Sequence, residues 1–167
     1  MKKDWSLAVA QALADALTAF MTLQAKQGMH EAYSEYLLYD PIVRVAMHRG
    51  WAVRSEVKLQ KLTPKKGDNQ RIDFVFSQKT PRPSNVLLEV KYQKRLAKTV
   101  DVRHDLEKLK MQLDREPRGT RALLVVAGRL RRRQHRHATN VDLGAPLYKT
   151  SYAGAHTNFG VTVFRVG

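Results

Sequence analysis

The sequence predicts an α/β protein in which a mixed central sheet is flanked by helices, with one further helix at the N-terminus. Three observations carry this expectation. Apolar, β-favouring runs at Ile72–Phe76, Val86–Tyr92 and Phe159–Val166 have the length and the bounding turn residues of strands. Apolar residues recur at helical spacing near the N-terminus and again across Asp101–Asp114, at Val102, Leu106, Leu109 and Leu113. The stretch Arg121–Ala127 (RALLVVA) is continuously apolar after its arginine, the pattern of a strand covered on both faces. A chain of 167 residues can bury one full core, so a single domain over 1–167 is expected: an N-terminal helix in 1–28, a core in 30–127, and a basic segment with a closing strand in 128–167.

The opening, MKKDWSLAVAQALADALTAF, has the outline of a signal peptide. Asp4 and Asp15 interrupt it and leave a stripe of Trp5, Val9, Leu13, Leu17, Phe20 and Met21. Such a stripe is a helix face packed on the domain, with a partner-docking or dimerising helix as the alternative. No apolar run approaches the ~20 residues of a membrane span, so no membrane partner is expected. After Gly28, MHEAYSEYLLYD is helical in pattern, and Asp40-Pro41 starts or kinks a short helix, Ile42–His48, ended by Gly50. Trp51–Leu62 is the first strand, with Ala52, Val53, Val57 and Leu59 as its apolar content, and 63–70 (TPKKGDNQ) is a polar turn. The two central runs flank a connector with Pro81, Pro83, Ser84 and Asn85, the signature of a hairpin with a long loop; parallel pairing is the alternative. Pro117 and Gly119 end the following helix, Gly128 breaks the RALLVVA strand, and 138–158 is irregular before the closing strand.

Three charges interrupt the central runs: Asp73, Glu89 and Lys91. Strand alternation puts Glu89, Lys91 and Gln93 on one face and Leu88, Val90 and Tyr92 on the other. Same-face neighbours stand about 7 Å apart and a paired strand about 5 Å away, so a suitable register brings Asp73 to Glu89 and Lys91. Burying a carboxylate or an ammonium is expensive unless it is paired. A divalent metal held by Asp73 and Glu89, with Lys91 near a substrate phosphate and an attacking water, meets that cost. Hard oxygen ligands suit Mg²⁺, which takes few carboxylates and completes its shell with water and phosphate oxygens. The plainer alternative is an edge strand with solvated charges and a surface Glu89–Lys91 pair of little energetic weight.

Ile72-Asp73, the connector and Glu89-Val90-Lys91 together resemble the PD-(D/E)xK nuclease superfamily, the restriction-endonuclease-like fold. The proline before the aspartate is absent. A second copy, Asp40 with Glu56-Val57-Lys58, has almost the same spacing, but Asp40 precedes a helix-starting proline and lies in no strand-like run. Context therefore favours Asp73, and Glu56 and Lys58 are read as solvated or as a salt-bridge pair. The resemblance implies an αβββαβ core and hydrolysis of phosphodiester bonds with Mg²⁺, or Mn²⁺ in its place. It implies that Asp73, Glu89 and the backbone carbonyl of Val90 hold the metal, while Lys91 orients water or stabilises transition-state charge. It also implies an acidic residue on the helix before the first core strand; Glu35 is the candidate and Glu31, one turn earlier on the same face, the reserve. Gln93 would touch water or phosphate.

Charge speaks about partners. With 30 Lys+Arg against 15 Asp+Glu the net charge is +15, which points to a polyanion: DNA, with RNA kept open. Residues 129–137 (RLRRRQHRH) hold five arginines and two histidines, and Arg131, Arg132 and Arg133 are the expected phosphate contacts. Lys94, Arg95 and Lys98 follow the Glu-x-Lys strand directly. His135 and His137 have no partners at a recognised zinc spacing. The absence of cysteine rules out disulfides and fits a reducing, cytoplasmic setting. There is no P-loop and no dinucleotide-type glycine-rich turn. Three function classes remain: a nuclease, a non-catalytic nucleic-acid-binding module of the same fold, and a small basic toxin- or phage-type interaction protein. A homodimer is compatible with each.

Overall fold

The apolar stripe of the N-terminal segment needs a surface to cover, and a six-stranded mixed sheet supplies it. The structure, a computed structural model, describes residues 4–29, 34–58, 71–78, 84–96, 99–154 and 158–167. Its strands are β1 (Ala52–Lys58), β2 (Arg71–Ser77), β3 (Asn85–Gln93), β4 (Arg121–Leu130), β5 (Tyr148–Ala153) and β6 (Asn158–Val166), in the spatial order β1-β2-β3-β4-β6-β5. The central runs pair antiparallel, as a hairpin does, whereas β3 and β4 run parallel. Parallel neighbours need a crossover, and α3 (Arg103–Leu113) provides it.

Helices cover both faces. On one side α1 (Trp5–Lys26) and α2 (Tyr39–His48) enclose Phe74, Phe76, Leu88, Val90, Leu123 and Val125. On the other, α3 closes over Ile72, Val75, Leu87, Leu124 and Val126. β4 is buried on both faces, as its continuous apolar run requires. Asp4 caps α1 by accepting from the Ser6 N–H at 3.1 Å, and Val9, Leu13, Leu17 and Met21 are the buried stripe. At 22 residues α1 is long and apolar enough to cross a membrane by length and composition, contrary to the expectation from sequence; here its stripe packs on the sheet.

Several boundaries differ from expectation. α2 begins at Tyr39 and takes Asp40 and Pro41 into its first turn, and a 3₁₀-helix, Glu35–Leu38, precedes it where a longer α-helical pattern was expected. β5 lies inside the segment read as irregular. β4 runs through Gly128 to Leu130 and takes in the start of the basic run. Glu31, Tyr33, Leu59, the polar turn 63–70, Pro81, Pro83 and Lys98 lie outside the described residues.

Gly128 pairs with Gln93, and a Cβ there would stand 2.4 Å from the Gln93 carbonyl oxygen, at a φ of +132° that side chains avoid. The glycine is therefore what lets β3 and β4 approach at this end of the sheet. Gly128→Ala is expected to destabilise the protein by about 3 kcal/mol or more, from backbone strain plus overlap with a strand that cannot shift alone. Urea unfolding measures this; a loss below about 1 kcal/mol would show that the strand pair yields easily.

Candidate functional site

The antiparallel ladder between β2 and β3 runs from Ser77–Asn85 to Phe74–Leu88 and stops. Beyond that point the Val90 N–H donates to Asp73 Oδ2 at 2.7 Å, so a side chain takes the place of the missing backbone acceptor. Face alternation breaks at the same residue: Ile72 joins the α3-side cluster, while Phe74 and Phe76 join the opposite one. Across on β1, Glu56 drops out of the ladder between Ser55 and Val57 and adopts a left-handed φ of 52°. Two distorted strands thus turn Asp73 into the gap between β2 and β3. A strand residue directs its N–H and C=O to the same neighbour, so the Val90 carbonyl opens into this gap as well. The Tyr39 hydroxyl hydrogen-bonds Asp73, lies 3.4 Å from Glu56 Oε1, and is steadied by its ring against Phe74 (centroids 4.7 Å).

Glu89 and Lys91 project towards α3, as alternation requires. Glu89 is 1% exposed and sits in the middle of the sheet, which excludes the edge-strand reading. Its partner is Lys108, whose Nζ donates to Glu89 Oε2 at 2.5 Å, and not Lys91. Lys108 also lies 3.7 Å from Asp105 Oδ1, and Lys91 Nζ lies 3.3 Å from Asp105 Oδ2 without hydrogen-bond alignment. Glu89 Oε1 has no hydrogen-bond partner among the described residues. Glu35 completes the group from the 3₁₀-helix, its Oε2 accepting from the Tyr92 N–H at 3.4 Å. Asp105 and Lys108 escaped the sequence reading, although Asp105 stands on the apolar stripe of α3 between Val102 and Leu109, a position where a carboxylate is unusual.

Four carboxyls therefore face two ammoniums. Burial, then the neighbouring Asp73 charge, pushes Glu89 up to about 8 against the pull of Lys108. Burial likewise raises Asp73, opposed by the Val90 and Tyr39 hydrogen bonds, and it raises Glu35 with help from Asp73. Burial would lower Lys108, but Glu89, Asp73 and Asp105 together hold it above its ordinary value. No set of three or more His, Cys, Asp or Glu side chains among the described residues forms a metal-binding group. A hard divalent cation does not need one: two carboxylates and a carbonyl suffice when water and phosphate oxygens supply the rest. Asp73, Glu89 with its orphan oxygen, and Val90 O match that donor set.

Parallel pairing sends the C-terminal ends of β3 and β4 to one edge, Gln93 opposite Gly128. Lys94 and Arg95 leave the sheet there, exposed, and Gln93 Nε2 donates to the Arg95 carbonyl at 2.6 Å. Arg131, Arg132 and Arg133 follow at the end of β4 on an exposed turn closed by Gln134 N–H to Arg131 O (2.9 Å), with Arg133 at φ 74°. A cleft of about 700 Å³ between this edge and α3 is lined by Lys91, Gln93, Thr99, Arg103, His104 and Asp105. His137, counted in the basic run, is instead a core residue: it is 4% exposed, bonded to Thr162, and pushed by burial down to about 4. Glu56 and Lys58 are both exposed, the solvated of the two expected arrangements, and Glu56 lies 3.9 Å from Arg71.

No family model, no characterised protein and no solved structure matches this chain.

Proposed function

We propose that this chain is a metal-dependent nuclease with a restriction-endonuclease-like core, hydrolysing phosphodiester bonds of DNA. One observation carries the reading: Asp73 and Glu89, buried on adjacent strands, feel each other's charge, and Lys91 stands next along the same face of β3, towards the edge where the exposed arginines leave the sheet. Lys91 and Asp105 line the cleft, and Asp73 and Glu89 supply buried carboxylates on the neighbouring strands. A bound Mg²⁺ or Mn²⁺ supplies positive charge against the developing phosphorane and lowers the pKa of water at the site.

The chain's own residues do the remainder. Asp73, Glu89 and Val90 O hold the ion, and the Tyr39 hydroxyl and Val90 N–H keep the Asp73 carboxylate aimed into the gap. Lys91 carries a charge that orients the attacking water or offsets transition-state charge, and Asp105 positions it until substrate arrives. Glu35 adds a further acid from the 3₁₀-helix, and Gln93 reaches water or phosphate at the cleft. Lys94, Arg95 and Arg131–Arg133 grip the backbone, which positions a substrate without reading its sequence.

The second reading is a binding module of the same fold, which the Lys108–Glu89 pair favours because a cation of the protein already answers the carboxylate. Metal dependence separates the two. Linear, single-stranded and branched DNA incubated with Mg²⁺ or with EDTA is expected to be cut only with metal. Asp73→Ala is expected to abolish cutting while DNA affinity stays within a few-fold of wild type. Equal DNA binding in both conditions with intact substrate throughout would establish the binding module instead.

A further inference from the structure

We propose that Lys108 is the resident counter-ion of the divalent-cation site, and that the metal binds by displacing its ammonium from Glu89 onto Asp105. This inference rests on the nuclease reading and adds to it how the site is loaded. The ammonium lies 2.5 Å from Glu89 Oε2, and the Lys108 side chain is only 12% exposed. A lysine so placed offsets carboxylates that would otherwise repel one another in a poorly solvated gap. A divalent ion does the same with twice the charge, so the two cations compete for one carboxylate.

The geometry offers a way out. Asp105 Oδ1 is 3.7 Å from the same Nζ, and the Arg71 carbonyl oxygen is 3.3 Å away. A flexible four-carbon stem lets the ammonium move between these acceptors while α3 stays fixed. Glu89 Oε1, with no hydrogen-bond partner among the described residues, is free to engage the incoming ion. Arrival of Lys108 at Asp105 has a consequence for Lys91, which Asp105 now holds at 3.3 Å. A carboxylate that gains one ammonium loosens its hold on the other. Metal loading thereby releases Lys91 towards the cleft and the substrate phosphate.

The test is Mn²⁺ binding by the full chain, followed by electron paramagnetic resonance of the free ion at constant ionic strength and without nucleic acid. Lys108→Met is expected to bind Mn²⁺ at least tenfold more tightly than wild type. Lys108→Arg, which keeps a cation able to fork onto a carboxylate, is expected to bind no more tightly than wild type. A variant-free measurement stands beside it: in ¹⁵N-lysine spectra of the wild-type protein, the Lys108 and Lys91 ammonium signals should both shift at the same Mg²⁺ concentration. The proposal is overturned if wild type binds Mn²⁺ and Lys108→Met binds it equally or more weakly, or if the Lys108 signal stays put at saturating Mg²⁺. Failure of Lys108→Met to fold leaves the spectra to decide. Absence of Mn²⁺ binding in wild type and in both variants would remove the nuclease reading itself, a result distinct from the others.

Discussion

Replacing Glu89 by glutamine is expected to lower Mg²⁺-dependent cleavage by at least ~10³-fold, the scale on which loss of a transition-state charge partner is felt. Glutamine keeps the shape of the side chain and removes the charge proposed to hold the ion. Two effects on stability oppose each other. Where Glu89 is ionised, Lys108 loses a charged partner, which costs free energy, but it keeps Asp105 at 3.7 Å. Against this, the variant never ionises a group that burial and Asp73 hold at about 8, well above its ordinary 4.5. The native state of wild type binds more protons at this position than the unfolded chain does between those two values. Its contribution to stability is therefore fully present below about 4.5 and is lost as pH rises through about 8. Urea midpoints measured from pH 5 to pH 9 should decline less in Glu89→Gln than in wild type, and Mg²⁺ should flatten the wild-type decline by holding the ionised form. Because the ion requires the carboxylate, the Mg²⁺ affinity of wild type should rise with pH as Glu89 ionises. Cleavage at the wild-type rate by the glutamine variant would remove Glu89 from the site.

Sequence pattern exposed the centre of this protein better than its margins, for physical reasons. β3 and β4 must bury apolar side chains, so their composition announces them, and strand alternation alone placed Glu89 and Lys91 on one face. β5 (YKTSYA) is the outer strand of the sheet, with alternate residues exposed, and an edge asks for no apolar run. Gly128 reads as a breaker because glycine weakens an ordinary strand; here the missing Cβ is what the neighbouring Gln93 backbone requires. The turn of Asp73 into the gap goes with a left-handed residue opposite it in β1, Glu56, which no periodicity reveals. Lys108 is one of 30 basic residues in the sequence, and only the crossing of α3 over β3 singles it out. The second Asp…Glu-x-Lys copy shows the same limit: Asp40 pairs with Arg44 on the surface, while Glu56 comes within reach of Tyr39 beside the site.

Changing Arg131, Arg132 and Arg133 together to alanine is expected to weaken DNA binding about equally for all sequences. It is also expected to flatten the slope of log K against log salt by about 2 to 3 units, since each duplex phosphate contact contributes about 0.9. At low salt a change of that size corresponds to a loss of several orders of magnitude in affinity. The argument begins with crowding: three consecutive exposed arginines on one tight turn repel one another, and a polyanion relieves the repulsion. Arg133 holds φ at 74°, a conformation that costs an arginine free energy, so the turn presents its side chains at the expense of local comfort. Guanidinium forks onto phosphate in two bonds where an ammonium makes one point contact, so arginine in this run suits a backbone grip. The turn also leaves β4 beside the place where Lys94 and Arg95 leave β3, which makes one continuous basic edge at that end of the sheet. Filter binding across a salt series, with wild type and the triple variant on two unrelated duplexes, measures both quantities. An unchanged slope would mean that the arginines only solvate the surface, and the grip would pass to Lys94 and Arg95 at the mouth of the cleft.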